Sequence, residues 1–287
     1  MNKNIIKNTI FILIFVMLFI KVYKLRLFNN DYYNNICKVI LITLLINVSN
    51  YCIDIPYPEK KGKISIIMLN FNRPHNLKKS LMILSTYSII DEIIISHGKP
   101  STYEEFDFPK VRNIKDFELD KLYGSALRFL RVLNAKNDVV LFIDDDTLPS
   151  ENTVVNTYNM LIKNYHRNTI YGHMARVCDG KGYHHTSRNH NVILTPYLMC
   201  KRKIILDYLK DDKIGFNKFK KFFKKHKGNC EDLSLNYFVE KEYFEKPVLV
   251  SGKGITQLDI HNGFSSNGSE HKKLRSGFCK HLNFLDS

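Results

Sequence analysis

Residues 139–146 read Val-Val-Leu-Phe-Ile-Asp-Asp-Asp, and this stretch decides the fold class. Five apolar residues in succession fit a strand that is buried on both faces, as in a largely parallel sheet covered by helices. Asp144, Asp145 and Asp146 then follow at its carboxyl end, where ligands bind in open α/β sheets. Carboxylate oxygens suit hard divalent cations, so the triplet predicts a site for a metal ion and a diphosphate. The alternative is a solvated loop or a helix N-cap, because a helix-like stretch begins at Glu151.

Alternating strand and helix patterns lead up to this strand. Apolar runs that end at polar turns predict strands, and amphipathic stretches predict helices. The predicted elements are a strand at 64–69, a turn at 70–74, a helix at 75–86, strands at 92–96 and 111–114, a helix at 119–133 and the strand at 139–143. Because strands separated by helices form βαβ units, we expect an open α/β sheet with mostly parallel strands.

The composition narrows the classes of function. The 287 residues are 44% hydrophobic, enough for one large core, and no internal repeat suggests a solenoid. The formal charge of +15 comes mostly from lysines that are scattered through the chain. A nucleic-acid-binding protein typically clusters such charges on one face, and we therefore expect no nucleic-acid partner.

The N-terminal region is predicted to be membrane-directed. Residues 9–20 are apolar without a charge, and we interpret 1–25 as an uncleaved signal anchor, a transmembrane helix. Lysines and arginines lie at both of its ends, so the positive-inside rule does not decide the orientation. A second apolar run at 36–48 is short and contains Lys38, and we assign 26–62 as a stem and linker. The main domain is then 63–287. The alternative is that the run at 36–48 forms a second membrane span.

Two arginines are candidates for anion binding. Arg73 lies in the turn from the first strand into a helix, where backbone N–H groups and a cation can hold a phosphate. Arg128 lies on the helix that precedes the acidic strand, from which it can reach a phosphate. The alternative for each is a surface arginine without a ligand.

A second acidic motif lies at residues 229–238, which read Asn-Cys-Glu-Asp-Leu-Ser-Leu-Asn-Tyr-Phe. Glu231 and Asp232 fall where a helix would begin, and carboxylates there interact favourably with the helix dipole. The functional alternative is a carboxylate that faces the ligand, where it binds hydroxyl groups or acts at the reacting carbon. The spacing leaves both interpretations open.

Residues 216–227 are rich in lysine. Phe216, Phe219 and Phe223 share one helical face, which predicts a surface helix packed on the core with its lysines outward. A membrane surface or an acidic glycan is the alternative partner of those lysines.

Four segments form a pattern in a fixed order after the linker. They are Ile-Asp-Asp-Asp-Thr-Leu at 143–148, Ile-Tyr-Gly at 170–172, Asn-Cys-Glu-Asp-Leu-Ser-Leu-Asn-Tyr at 229–237, and Ser-Glu-His at 269–271 followed by Arg275 and Cys279. This pattern resembles the exostosin-like glycosyltransferases of family 64. The acidic segment is common to several sugar transferases, whereas the Asn-Cys-Glu-Asp segment with its following asparagine is much more specific.

The resemblance implies a GT-A nucleotide-sugar-binding fold with a mixed, mostly parallel central sheet. It also implies a UDP-sugar donor, Mn²⁺ or another divalent cation, and transfer with retention of anomeric configuration. Asp146 would bind the metal ion. Asp144 and Asp145 would approach the ribose and the sugar, and Arg73 and Arg128 would bind the donor.

The second acidic motif corresponds to the family's second acidic site, which makes Glu231 and Asp232 candidate catalytic residues. Asp232 is the better candidate for the reaction centre. One departure concerns a C-terminal arginine of the family, in whose place this chain has Gly268. Arg275, or one of two neighbouring lysines, is the candidate for the missing contact to the diphosphate.

The resemblance further implies a disulfide between Cys230 and Cys279. Cys178 and Cys200 either pair as well or stay as buried thiols. Such a disulfide requires an oxidising compartment, so we expect a single-pass type II membrane protein with its catalytic domain in the ER or Golgi lumen.

The expected activity is transfer of an N-acetylhexosamine or a related hexose from a UDP-sugar to a hydroxyl of a glycan or glycoconjugate. An inverting GT-A transferase and an inactive, membrane-anchored relative that binds glycans are the alternatives. His184, His185 and His190 lie in a stretch without a family match, which is either a loop facing the acceptor or a metal-binding cluster.

Overall fold

The computed structural model describes residues 63–185, 189–259 and 268–282. The strands are β1 (Ile64–Asn70), β2 (Ile90–His97), β3 (Val111–Lys115), β4 (Val139–Ile143), β5 (Thr147–Pro149), β6 (Ile170–Gly172), β7 (Ala175–Asp179), β8 (Gly182–His184), β9 (Val192–Ile193), β10 (Tyr197–Lys201), β11 (Val248–Leu249) and β12 (Ile255–Gln257). The helices are α1 (Pro74–Leu84), α2 (Phe117–Tyr123), α3 (Leu127–Leu130), α4 (Glu151–Lys163), α5 (Arg202–Lys210), α6 (Phe216–His226), α7 (Glu231–Tyr243) and α8 (Gly268–His281).

A seven-stranded mixed sheet forms the centre of the domain, in the order β11-β6-β10-β4-β1-β2-β3. Strands β4, β1, β2 and β3 run parallel, β10 is antiparallel to both of its neighbours, and β11 is parallel to β6. The predicted α/β class with a mostly parallel central sheet is confirmed. The carboxyl ends of β1, β2 and β4 consequently meet at one edge.

Strand β4 shows why the apolar run is buried on both faces. All five of its residues are buried, and alternate side chains enter two separate core clusters. Phe142 contacts Phe129 edge to face on one side, whereas Leu141 lies in the cluster of Leu77 and Leu81 from α1 on the other. Since side chains alternate along a strand, only a sheet covered on both sides satisfies this pattern.

The predicted continuous helix at 119–133 is wrong. Helix α2 ends at Tyr123, and 3₁₀ turns at Gly124–Ala126 and Arg131–Asn134 flank the short α3. Gly124 has φ +47°, and a Cβ atom there would lie 1.9 Å from the carbonyl oxygen of Lys227. The chain breaks at this glycine because the backbone after α6 approaches it too closely for any side chain.

The expected Cys230–Cys279 disulfide is also wrong, because Cys279 is bonded to Cys178. The hairpin of β7 and β8 packs on α8, where the backbone N–H of Tyr183 donates to Ser276 Oγ at 3.3 Å. This packing brings Cys178 to Cys279. Cys230 and Cys200 are buried thiols.

The lysine-rich segment forms α6, as predicted. Phe216, Phe219 and Phe223 are buried, and the lysines of the helix are exposed. The predicted signal anchor (1–25) and stem (26–62) lie outside the described residues. Within the part of the chain that the structure describes, no helix combines the length and the apolar character needed to cross a bilayer.

Candidate active site

A cleft of about 320 Å³ opens where β1, β2 and β4 end. Its volume lies within the range of small-molecule sites. Residues from three strand ends and from the turns around α2 and α3 meet here, since parallel strands share one carboxyl edge. The lining residues are Leu69, Asn70, Phe71, Arg73, Ser96, Gly98, Lys99, Pro100, Asp120, Lys121, Gly124, Ser125, Arg128, Asp144, Asp145 and Lys227.

Arg73 connects the turn after β1 to the acidic triplet. It precedes α1, whose first residue is Pro74, and its side chain turns toward β4. Its Nε donates to Asp145 Oδ2 at 3.2 Å, Nη2 donates to Asp145 Oδ1, and Nη1 donates to Asp146 Oδ2 at 2.7 Å. Burial raises the pKa of Asp145 to about 6, although Arg73 opposes this shift. Bidentate pairing thus holds Arg73 in one orientation beside the cleft.

Arg128, on α3, connects the triplet to the second acidic motif. Its Nη1 donates to Asp144 Oδ1 at 2.7 Å, and its Nε lies 3.8 Å from Glu231 Oε1. The same Nε donates to the backbone carbonyl of Ser125 at 3.1 Å. Burial opposes the charge of Arg128, but the neighbouring carboxylates outweigh it and raise its pKa. The side chains of both arginines that are predicted to bind the donor therefore contact the acidic triplet, in the same wall of the cleft.

Glu231 and Asp232 begin α7, as predicted, but the helix terminus is not exposed to solvent. Both residues are buried, and Thr195 Oγ1 donates to Glu231 Oε1 at 3.2 Å. Burial, and after it the adjacent carboxylate of Asp232, raise the pKa of Glu231 to about 7. Carboxylates at a solvated helix N-terminus would be exposed, so this arrangement favours the functional interpretation of the motif.

Arg275 lies against Asp232. Its Nη2 donates to both carboxylate oxygens of Asp232 at 2.8 Å, and the ring of Tyr183 covers its guanidinium at 4.6 Å. Burial opposes the charge of Arg275, yet Asp232 raises its pKa above the usual value. Arg275 therefore has a carboxylate partner inside the protein, and a diphosphate contact stays a prediction. Gly268 begins α8 and is exposed.

The triplet fits a divalent cation that a bound phosphate also ligates. The side chains of Asp144 and Asp146 are 27% and 16% exposed, whereas that of Asp145 is 6% exposed. The N-cap of α4 is Ser150, which accepts from the Thr153 N–H, so the triplet does not cap this helix. Mg²⁺-like ions are typically bound by one or two carboxylates together with phosphate oxygens. Asp146 and Asp144 are therefore available for this role.

Histidine, cysteine, aspartate and glutamate side chains in residues 63–185, 189–259 and 268–282 form no group of three or more that could hold a metal ion by itself. Of the three histidines at 184, 185 and 190, the first and the last contact different parts of the chain. His184 Nε2 lies 3.4 Å from Asp179, and His190 Nε2 lies 3.3 Å from the carbonyl of Pro247. The structure thus gives no support to a histidine metal site.

Sequence reasoning missed several residues of the cleft wall. Lys99 follows β2, donates to Asn72 Oδ1 at 2.8 Å and lies 3.7 Å above the ring of Phe71. Lys227 reaches the cleft from the end of α6. The turn after β2 is a position at which a parallel sheet places ligand contacts, and this signal could have identified Lys99. Lys227 ends the lysine-rich segment at 216–227, but no local signal places it in this cleft, because it arrives from a distant part of the chain.

The fold is similar to that of a GT-A glycosyltransferase. A mannosyltransferase from Pyrobaculum calidifontis, PcManGT, solved in complex with GDP-Man and Mn²⁺, has a similar structure with a TM-score of 0.52 and 11% identity. The match covers 78% of this chain and 65% of that one, so this chain spans slightly less than two thirds of its length. This likeness shows the fold alone.

Residues 64–285 match the glycosyl transferase family 64 domain, and the chain belongs to this family. No curated protein sequence matches it. The resemblance read from the four sequence segments is therefore confirmed at the level of family 64.

Proposed function

We propose that this protein is a divalent-cation-dependent, retaining transferase of the exostosin-like type. It would move an N-acetylhexosamine or a related hexose from a UDP-sugar to a hydroxyl of a glycan or glycoconjugate. The observation that carries the proposal is the triplet at the end of β4. Two of its carboxylates, Asp144 and Asp146, are partly exposed beside two arginines and next to a cleft of about 320 Å³.

The charges of this wall suit a nucleoside diphosphate. A divalent cation such as Mn²⁺, when bound, would stabilise the negative charge that develops on the departing diphosphate. Asp146 would hold this cation, and Asp144 would approach the ribose. Arg73 and Arg128 keep these carboxylates in fixed orientations through the hydrogen bonds described above, which limits their reorganisation when the donor binds.

The second acidic motif supports a role at the sugar. Retention requires either a carboxylate nucleophile or attack from the same face as the leaving group. Both oxygens of Asp232 accept hydrogen bonds from Arg275, which lowers the nucleophilicity of this carboxylate. We therefore favour same-face attack, with Asp232 orienting the sugar. Glu231, with a pKa raised to about 7, would bind a sugar hydroxyl in either protonation state.

We also propose that the domain works in an oxidising lumen. The Cys178–Cys279 bond supports this location, since disulfides are rare in reducing compartments. A signal anchor at residues 1–25 would make the protein a type II membrane enzyme.

Thermal unfolding of the full-length chain in detergent tests the donor site. UDP at about 100 times its Kd should add about 2.7 kcal/mol to stability, and the gain should require Mn²⁺. The Asp146→Ala variant should lose the Mn²⁺-dependent gain. The control is Asp107→Ala, because Asp107 is exposed and lies outside the cleft. No Mn²⁺-dependent gain with any nucleoside diphosphate, in a folded protein, would refute the proposal and favour an inactive relative.

The stereochemistry is tested by NMR of the first product formed from a UDP-sugar. A product with the anomeric configuration of the donor is expected. Inversion would identify the other class of GT-A transferase.

A further inference from the structure

Helix α6 carries an unbalanced positive charge on the surface of the domain. Its eleven residues contain no arginine, aspartate or glutamate. They contain five lysines, all of them exposed, which we call the lysine surface: Lys218, Lys220, Lys221, Lys224 and Lys225. Among the described residues, no carboxylate forms an ion pair with any of these five side chains.

The two helices that pack beside α6 differ in this respect. On α2, Lys121 pairs with Glu118 at 2.6 Å, and on α5, Lys203 pairs with Asp207. Like charges three or four residues apart on a helix repel each other, and α6 repeats this arrangement without a compensating carboxylate. The lysine surface is therefore suited to a negatively charged partner outside the domain.

The packing of α6 decides how it can contact such a partner. Phe216, Phe219 and Phe223 are buried in the core, and the ring of Phe222 lies 4.6 Å from that of Phe278 on α8. An amphipathic helix that enters a bilayer buries its apolar face among the lipids, but the core of this domain already occupies that face of α6. Contact with a partner is consequently electrostatic and goes through the lysines.

The type of cation distinguishes between negatively charged partners. Arginine holds a carboxylate, sulfate or phosphate in a fixed bidentate geometry, and α6 has no arginine. Lysine is a point charge on a flexible stem, which suits lipid headgroups that diffuse and exchange. Lysine clusters on amphipathic helices are typical of surfaces that bind anionic lipids. A bilayer leaflet with anionic headgroups therefore fits α6 better than an ordered acidic polysaccharide.

The predicted signal anchor at residues 1–25 adds a second argument for a lipid partner. An anchored domain is held close to a bilayer, so a weak electrostatic contact acts at a high effective concentration. One membrane anchor combined with a basic surface is a common way to fix how a protein lies on a membrane.

We propose that the lysine surface of α6 binds anionic lipid headgroups and lays the domain on the membrane to which the predicted anchor tethers it. Lys227, directly after α6, is exposed and lines the cleft, and its carbonyl accepts from the Ser125 N–H at 3.2 Å. The docked surface therefore extends to the edge of the cleft, which then opens close to the headgroups.

Lysine reactivity of the full-length chain in nanodiscs tests the docking. A water-soluble acylating reagent modifies exposed amines, and mass spectrometry of peptides gives the rate at each lysine. In nanodiscs that contain phosphatidylserine, the five lysines should react about fivefold more slowly than in nanodiscs of phosphatidylcholine alone, as the attraction of one lysine to an anionic surface predicts. At about 1 M salt, where charges are screened within about 3 Å, the difference should disappear.

Lys79 is the internal control for these rates. It is exposed on α1, which packs on the opposite face of the central sheet from α6. Its reactivity should be the same in both nanodiscs.

Charge reversal tests whether α6 causes the protection. Lys220→Glu combined with Lys224→Glu should weaken docking about 30-fold, so that Lys221 and Lys225 react equally in both nanodiscs. The matched control combines Lys79→Glu with Lys163→Glu, which makes the same change in net charge at two exposed lysines outside α6 and should keep the protection. Equal melting temperatures of both variants in detergent verify that they are folded.

Three results would overturn the proposal. The first is equal reactivity of the five lysines in both nanodiscs, and the second is protection that persists in the Lys220→Glu and Lys224→Glu variant. The third is protection by polygalacturonate but not by phosphatidylserine, which would assign the lysine surface to acidic polysaccharides. The measurement needs neither UDP nor Mn²⁺, so its result is independent of the proposed function.

Discussion

Replacing Cys178 with alanine should lower the free energy of unfolding of the domain much more than replacing Cys230 with alanine. Cys178 and Cys279 are separated by 101 residues along the chain, so their bond closes a large loop in the unfolded state. In the chain-entropy model a loop of about 100 residues corresponds to about 4.7 kcal/mol, and measured values are typically about 2–4 kcal/mol. We expect Cys178→Ala and Cys279→Ala each to lower the free energy of unfolding by about 3–5 kcal/mol.

Cys230→Ala is the matched control, because Cys230 is equally buried but carries a free thiol. Removing its sulfur should cost only about 1 kcal/mol, as for other small truncations in a core. Urea unfolding without reductant measures these differences, and trapping of thiols before proteolysis and mass spectrometry identifies the linked peptides. Dithiothreitol should destabilise wild type and Cys230→Ala by the same amount and leave Cys178→Ala unchanged.

The opposite order would refute the reasoning. If Cys230→Ala cost as much as Cys279→Ala, and Cys178→Ala cost only about 1 kcal/mol, the bond would join Cys230 to Cys279. The hairpin of β7 and β8 would then not be tied to α8.

Two further predictions concern pH and backbone geometry. Because burial raises the pKa of Glu231 from 4.5 to about 7, the native state binds a proton there that the unfolded state releases, and this stabilisation is lost as pH rises between these values. Glu231→Gln should therefore reduce the loss of stability between pH 5 and pH 8 by on the order of 2 kcal/mol; an unchanged difference between urea midpoints at these pH values would contradict the assignment. Gly124→Ala should cost about 2–4 kcal/mol, since its Cβ would collide with the Lys227 carbonyl at a positive φ. Gly180→Ala, with no atom within 4 Å of the added Cβ, should change stability by less than about 0.5 kcal/mol, and equal thermal shifts for both variants would argue against this close approach.

Local patterns predicted much of the fold. The strands at β1, β2 and β4 and the helices α1, α6 and α7 lie close to where the sequence placed them. Their side chains repeat with the period of the element, so a short window holds enough information. The boundary between Tyr123 and Gly124 was missed because the cause of the break is a carbonyl about 100 residues away.

The sequence by itself determined the family and the position of the acidic triplet. An apolar run followed by carboxylates has only one place in a parallel sheet, because all such strands end at the same edge. It could not determine the partner of Arg275, which lies 43 residues from Asp232, or that of Cys279. These pairs, like the cleft wall that joins Asn70 to Ser125, form only when distant segments pack together. Tertiary structure decided these pairs, because the free energy that selects them comes from burial of the whole core. No single segment of the sequence contains this information.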